Sequence, residues 1–530
     1  MSQVDPALRP TIAVIGGGIA GLAAAWELTG GPGGNAAGSP RVVLLEASDR
    51  LGGKLRTGEL DGQTVDLGPD GFLARRPEAT TLCREVGLGD DLVPIGASGA
   101  SIWARGHLRP LPDGLSLGVP TRFWPAARSG ILGPRGSLRL LMDLISPRPD
   151  LRGPLGDRAI GPLVARKLGA RVVDNLVDPL VGGIHAGSVA DMSAAAVFPL
   201  LLAVAQRRGS FMRALRRASA APPGAAGGAA SSGAAAGAAS SGAASGGTAG
   251  VTLGDPAGPA FWALRGGMRS LVDRLAELLA ARGVVIRTAT PVELIDRGTA
   301  SGAQWVLHTA GGPVQVDGIV LAVPAPAAAS LLEPHDTEAA TLLRGIDHAS
   351  VALVTLSYPE AAVPGELHGT GVLVPQGSPA VAGRGRGEDG TTLVTACTYL
   401  SRKWPHLARP GSVLIRASVG RYGDARPESF DDRALVGRVV EEVGAIVGTT
   451  AGPAAWLVTR WPGCLPQYRV HHLLRATAIE AAVKRLPAFA VAGAAYRGVG
   501  IPACIGSGRT AARSVLGGLA VPAGEAGTAT

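Results

Sequence analysis

Apolar and polar positions follow two regimes along the chain. Near its start, Thr11–Ile15 (TIAVI) is a short unbroken apolar run, as expected of a buried parallel strand. Glycines at 16, 17, 18 and 21 follow, and Leu22–Leu28 has helical composition, so the pattern predicts strand, tight turn and helix. A loop, GGPGGNAAGSP, then leads to a second apolar run in RVVLLEASDR that ends at Glu46. SVALVTLSYP (350–359) and GTTLVTACTYL (390–400) also have strand composition. LLMDLISP (140–147), IGPLVARKLGARVVDNLVDPLVGGI (160–184) and MRALRRAS (212–219) have helical composition. The longest apolar stretch, Met192–Ala205, is interrupted by Pro199, and no run reaches the roughly 18 residues of a membrane-spanning helix.

One stretch has neither pattern. From Ala218 to Gly250 there is no charge and no large side chain, so it cannot bury enough apolar area to offset its ordering entropy. It is expected to be a disordered insertion over 218–254. The remaining composition is globular, with 46% hydrophobic and 17% charged residues, and 530 residues are enough for two or three domains. The N-terminal MSQVDPALRP has no apolar signal region, and the four cysteines stand alone without metal-ligand or disulfide-framework spacing. A reducing cytoplasm is expected, with no metal site. The net charge of +9, carried mostly by arginine, suits anionic substrates or lipid headgroups, so peripheral contact with the inner face of the membrane is an expectation. No basic run is interleaved with aromatics, which argues against nucleic acid.

Gly16, Gly18 and Gly21 have the spacing G-x-G-x-x-G. In a strand–turn–helix setting the first makes the turn, the second admits a pyrophosphate, and the third lets helix pack on strand. The helix N-terminus then presents unpaired N–H groups to phosphate. Glu46, at the end of the second strand, can accept both ribose hydroxyls and would repel a 2′-phosphate. NADP is therefore disfavoured, and both NAD and FAD remain open.

The following stretch separates those two. Glu46-x-x-x-Arg50-Leu51-Gly52-Gly53-Lys54 resembles the second FAD fingerprint of the amine oxidase and protoporphyrinogen oxidase superfamily. Gly68-Pro69-Asp70-Gly71 is similar to the family's turn near the flavin ring. GIHAGSVADMSAAAVFPLL (183–201), GGMRSLVDRLAELL (266–279), SRKWPH (401–406), WPGCLPQYRVHH (461–472) and FAVAGAAYRGVGIPACIGSGRTAA (489–512) resemble the bacterial branch of the protoporphyrinogen oxidases, in that family's order.

The resemblance implies an α/β fold, α+β overall. Its parts would be a Rossmann-like FAD domain (1–98, 255–330 and 476–530), a substrate domain with a mixed or antiparallel sheet (331–475) and a mostly helical cap (99–217). It implies FAD contacts at Gly16, Gly17, Gly18, Ile19, Ala20, Gly21, Glu46, Ala47, Gly53, Lys54, Gly68, Pro69, Asp70, Gly71, Val292, Ala494, Val499, Gly500 and Ile501. Val292 lies in VVIRTATPVELI, where a pair of strands would carry its backbone to the adenine. The implied reaction is six-electron oxidation of coproporphyrinogen III to coproporphyrin III, with O2 as acceptor and H2O2 as product, followed by transfer to the next haem-pathway enzyme. Ala100 stands where eukaryotic-type enzymes carry a propionate-binding arginine, so Arg75 and Arg76 are the expected anchors, through paired charge-assisted hydrogen bonds. No catalytic triad is expected, and His185 reads as a packing or turn-capping residue. Protoporphyrinogen IX oxidation is the alternative. An amine oxidase, a carotenoid desaturase or a non-enzymatic FAD- or porphyrin-binding protein are more distant ones.

Overall fold

A computed structural model describes residues 9–34, 39–145, 156–207, 209–220, 258–298, 303–379 and 390–520. The expected insertion at 218–254 lies outside the described residues from 221 onward. Residues 218–220 close the helix Phe211–Ala220.

Five parallel strands form the sheet beneath the glycine turn, in the order Val285–Arg287, Arg41–Leu45, Thr11–Ile15, Gly318–Leu321, Phe489–Val491. Thr11–Ile15 is central and almost entirely buried, which explains its unbroken apolar run. Three helices cover one face: Ile19–Leu28, Arg269–Ala281 and the long C-terminal Ile501–Ala520. The first and last pack closely because the contact residues are small. A Cβ on Gly508 would lie 2.0 Å from the Ala20 carbonyl oxygen.

The expected strand pair in VVIRTATPVELI is divided between two sheets. Val285–Arg287 joins the parallel sheet, whereas Val292–Arg297 pairs antiparallel with Trp305–Thr309. The separation is set by Glu46, whose N–H donates to the Arg287 carbonyl and whose own carbonyl accepts from Thr290.

A second, seven-stranded sheet runs Ala455–Pro466, His348–Pro359, Ser412–Val419, Val394–Tyr399, Gly371–Leu373, Ser101–Ala104, His107–Pro110. All its pairings are antiparallel except Gly371–Leu373 with Ser101–Ala104. Residues 101–110, inside the expected 99–217 cap, form a hairpin on this sheet, in keeping with the strand read in SIWARGHL. The alternation of buried Ile102 and Ala104 with more accessible Ser101 and Trp103 is a strand pattern, not a helical one. The helical part begins at Phe123 and includes Gly133–Ile145, Ile160–Leu168 and a π-helical stretch, Val173–Gly182. Its core is built from Leu132, Leu140, Leu163, Val164, Leu176, Val177 and Leu201. Pro199 opens a new helix, Pro199–Ala205, instead of breaking one.

Candidate cofactor cavity

The turn after Thr11–Ile15 depends on two glycines. Gly16 has φ +105°, and a Cβ there would lie 2.6 Å from the Ala322 carbonyl oxygen. A Cβ on Gly21 would lie 1.9 Å from the Gly16 carbonyl oxygen, so helix and strand could not approach. Gly18 caps the helix in extended conformation, and nothing lies within 4 Å of where its Cβ would be. That open space is a cavity at the carboxyl ends of the parallel strands, where open α/β sheets bind ligands.

The cavity has a volume of about 410 Å3. Of the residues singled out from sequence, Gly16, Gly18, Ile19, Ala20, Glu46, Ala47, Gly53, Lys54, Pro69, Gly71, Val292, Ala494, Val499, Gly500 and Ile501 line it. Gly17, Gly21, Gly68 and Asp70 do not. Gly17 donates its N–H to Glu46 Oε2 at 2.6 Å, inside the turn. Gly21 is a packing glycine, and a Cβ on Gly68 would lie 2.2 Å from the Lys54 carbonyl oxygen.

Asp70 departs most from the sequence reading. Its side chain is 2% exposed and turns away from the cavity into a buried ion cluster. Lys403 Nζ donates to both carboxylate oxygens at 3.1 Å, Trp404 Nε1 donates to one at 3.1 Å, and Arg416 Nη2 lies 2.9 Å from the same one. Arg416 also donates to the Asp66 and Gly68 carbonyls. The 66–71 segment is thus clamped to the seven-stranded sheet, with Pro69 and Gly71 facing the cavity.

The two glycine-rich segments interlock. Gly52 N–H donates to the Gly17 carbonyl, and a Cβ on Gly53 would lie 3.3 Å from Gly18 Cα. Glu46 Oε1 accepts from Ser48 N–H and Oγ, so its carboxylate stitches both turns and retains a lone pair on Oε2 for a ligand.

Several lining residues escaped the sequence reading. Ala322–Ala325 follow the strand Gly318–Leu321, and a parallel strand's carboxyl end was an available signal. Thr290 and Pro291 precede Val292. Leu465 and Pro466 lie in the WPGCLPQYRVHH motif and Cys504 in the closing motif, whereas His348 carries no local signal, because packing alone brings it there. Burial holds the His348 imidazole below its usual range, against a backbone hydrogen bond at Ile346 and with the help of Lys54.

A smaller cavity of about 250 Å3 lies farther along the same strand pair. Paired His348 and Pro466 face the large cavity, and paired Val351 and Trp461 line the small one. Arg75 and Arg76 line neither. Arg76, one of the two expected anchors, is ion-paired with Glu78 at 2.6 Å. Arg75 is half-buried, and burial and then the Arg76 charge lower its pKa. His185 is buried away from the cavity, its carbonyl accepts from Gln467 Nε2, and burial lowers its pKa to about 4.

The donor set suits a dinucleotide: unpaired amides at a helix N-terminus, an open glycine face, an acid on the next strand and Lys54. A flavin adenine dinucleotide would be held by these groups. Among the described residues no group of three His, Cys, Asp or Glu could hold a metal ion. No described helix is long and apolar enough to cross a membrane.

Comparison with known proteins agrees with this geometry. The chain is 37% identical over 508 residues to a coproporphyrinogen III oxidase of Propionibacterium freudenreichii, covering 95% of this chain and 90% of that one. It is 30% identical over 508 residues to a coproporphyrinogen III oxidase of Bacillus subtilis, covering 95% and 97%. A crystal structure from Exiguobacterium sp. 255-15, provisionally assigned as a protoporphyrinogen oxidase, superposes with a TM-score of 0.78 at 31% identity, covering 96% of this chain and 98% of that one. The profile of the flavin containing amine oxidoreductases matches residues 19–516, so the chain is a FAD-dependent oxidoreductase belonging to that family.

Proposed function

We propose that the protein oxidises coproporphyrinogen III to coproporphyrin III, removing six electrons and six protons in three two-electron steps, with three O2 reduced to three H2O2. The observation that carries this reading is the end-to-end similarity to coproporphyrinogen III oxidases, joined to a cavity whose groups suit FAD. FAD, when bound, accepts hydride equivalents in its ring system. The chain's own part is binding and orientation. The glycine turn and Glu46 hold the dinucleotide, and the 66–71 and 493–501 segments wall its far end. The apolar wall around Val351 and Trp461 gives the macrocycle a surface beside that end. Proton loss from the pyrrole nitrogens accompanies conjugation, so no buried base is required, and His185 takes no part.

Steady-state turnover on coproporphyrinogen III against protoporphyrinogen IX tests the reading. A higher kcat/KM on coproporphyrinogen III is expected, and the reverse order would assign protoporphyrinogen oxidation instead.

Arg75 is the better anchor for a substrate carboxylate, since its half-buried guanidinium lies beside the Arg76 charge and has no ion pair among the described residues, so it gains from an anion. A charge-assisted hydrogen bond contributes about 1.5–3 kcal/mol. Arg75→Ala is therefore expected to lower kcat/KM on coproporphyrinogen III about 10- to 100-fold, and less on protoporphyrinogen IX, which has two carboxylates fewer. Arg76→Ala, already engaged by Glu78, should lose little. Equal losses on both substrates for Arg75→Ala would give it a structural role.

Peripheral membrane contact belongs to the same reading. Leu138, Met142 and Ile145 form an exposed stripe at helical spacing on Gly133–Ile145, whose opposite face buries Gly136, Leu140 and Asp143. Exposed Trp124 and Arg128 lie on the preceding helix Phe123–Arg128, which exposed Arg122 caps, and exposed Arg135 lies on Gly133–Ile145 itself. An apolar stripe with arginines and a tryptophan suits an anionic lipid surface. The protein is expected to sediment with anionic vesicles, and the Leu138→Ser/Met142→Ser/Ile145→Ser variant should remain in the supernatant with turnover intact. Equal sedimentation of both forms would discard the contact.

A further inference from the structure

The segment 493–500 lines the cavity with Gly493, Ala494, Ala495, Val499 and Gly500, yet little in its own sequence holds its shape. Two of its glycines have positive φ, Gly493 at +118° and Gly498 at +147°. Backbone freedom of this kind must be restricted from outside.

That restriction comes from two side chains beyond the strand Ala455–Pro466: Tyr468 in the connection that follows it, and His472 at the start of the helix His472–Val483. Tyr468 Oη donates to the Ala494 carbonyl at 2.6 Å and accepts the Gly498 N–H at 2.7 Å, so one hydroxyl bridges both ends of the segment. His472 stacks on the Tyr468 ring, with centroids 3.8 Å apart and planes at 14°, and its Nε2 lies 2.9 Å from the Tyr496 carbonyl oxygen. A carbonyl only accepts, so Nε2 carries the proton. Both side chains are buried, Tyr468 at 4% and His472 at 1% exposure. The Tyr468 carbonyl in turn accepts the Ser193 N–H, tying this point to the helical part.

We propose that Tyr468 is a positioning residue for the cofactor: through its hydroxyl, and with His472 behind it, it fixes the 493–500 segment in the shape that closes on the bound flavin. Without the hydroxyl, the Ala494 carbonyl and Gly498 N–H are left unpaired in a buried site, and the segment samples shapes that do not fit FAD. Burial supports the arrangement by raising the phenol pKa, so the donor is retained at neutral pH, and by lowering that of His472 to about 4.

The test is a titration of apoprotein with FAD, followed by flavin fluorescence, alongside amide hydrogen exchange of the apoprotein. Neither readout depends on which porphyrinogen is the substrate. Tyr468→Phe is expected to raise the Kd for FAD about ten-fold and to speed exchange across 493–500 by a similar factor, with exchange in the parallel strands unchanged. His472→Gln, which can still donate to the Tyr496 carbonyl, should stay nearer wild type than His472→Ala. A Kd for Tyr468→Phe within two-fold of wild type overturns the proposal, whatever its melting temperature. If Tyr468→Phe does not fold, His472→Ala decides: weaker FAD binding with faster exchange at 493–500 supports the proposal, and an unchanged Kd refutes it.

Discussion

Gly18→Val is expected to give a folded protein that no longer retains FAD. The position is extended, with φ −70° and ψ 175°, which valine adopts readily, and its Cβ would meet no protein atom within 4 Å. The empty space is the cavity itself, so a branched side chain takes the volume a pyrophosphate needs against the amides of Ile19 and Ala20. Overpacking costs about 3 kcal/mol at the upper end of its usual range, which weakens FAD binding about 100-fold. Flavin released per chain on denaturation measures it directly. Full flavin content in the variant would mean that the dinucleotide lies elsewhere. Gly21→Ala provides the contrast: its Cβ would meet the Gly16 carbonyl, so it should impair folding before binding.

The second large effect is expected at Asp70. Asp70→Asn leaves Lys403 and Arg416 buried without their shared anion, and breaking a buried pair in this way costs about 3–5 kcal/mol. FAD retention should fall as well, because Pro69 and Gly71 flank the change and line the cavity. The pH dependence of unfolding in urea separates this acid from its neighbour. Burial opposes the Asp70 charge, but Lys403 and Arg416 outweigh it and depress its pKa. Its stabilisation is therefore present above the unfolded carboxylate pKa of about 4 and is lost as pH falls through the folded value.

Asp66 behaves in the opposite sense. Burial, reinforced by the Asp70 charge, raises its pKa to about 7 against the Met268 N–H, Arg416 and Lys403. Its contribution is complete below about pH 4 and is lost as pH rises through 7. Asp66→Asn keeps an oxygen for the Met268 N–H and should be more stable than wild type at pH 8 but not at pH 4. A cost below about 1 kcal/mol for Asp70→Asn, or no gain at pH 8 for Asp66→Asn, would show that water reaches the cluster and screens it.

The amino-acid sequence by itself determined what depends on chain neighbours. Strand, turn and helix at 11–28 follow from an apolar run and from glycines whose φ angles and missing Cβ atoms the turn requires, as the Gly16 and Gly21 contacts demonstrate. The helical runs at 140–145, 160–184 and 212–219 and the strand compositions at 350–359 and 390–400 were legible for the same local reason, and family-wide motifs pointed to flavin. Tertiary structure decided what depends on segments meeting across hundreds of positions. Asp70 reads as a cavity residue until Lys403 and Arg416, more than 330 positions later, draw its carboxylate away. Val285–Arg287 and Val292–Arg297 read as a pair until Glu46 holds the first edge and Trp305–Thr309 the second. Residues 101–110 joined a sheet whose other strands come more than 230 positions later. Arg75 and Arg76 are adjacent in sequence, but only the position of Glu78 separates an engaged guanidinium from an anchor candidate. His348 carries no local sign of its place, and the motif that contains Tyr468 does not say what its hydroxyl holds, because burial and hydrogen-bond partners are properties of the packed chain, and side-chain chemistry acquires a role only once packing has supplied its neighbours.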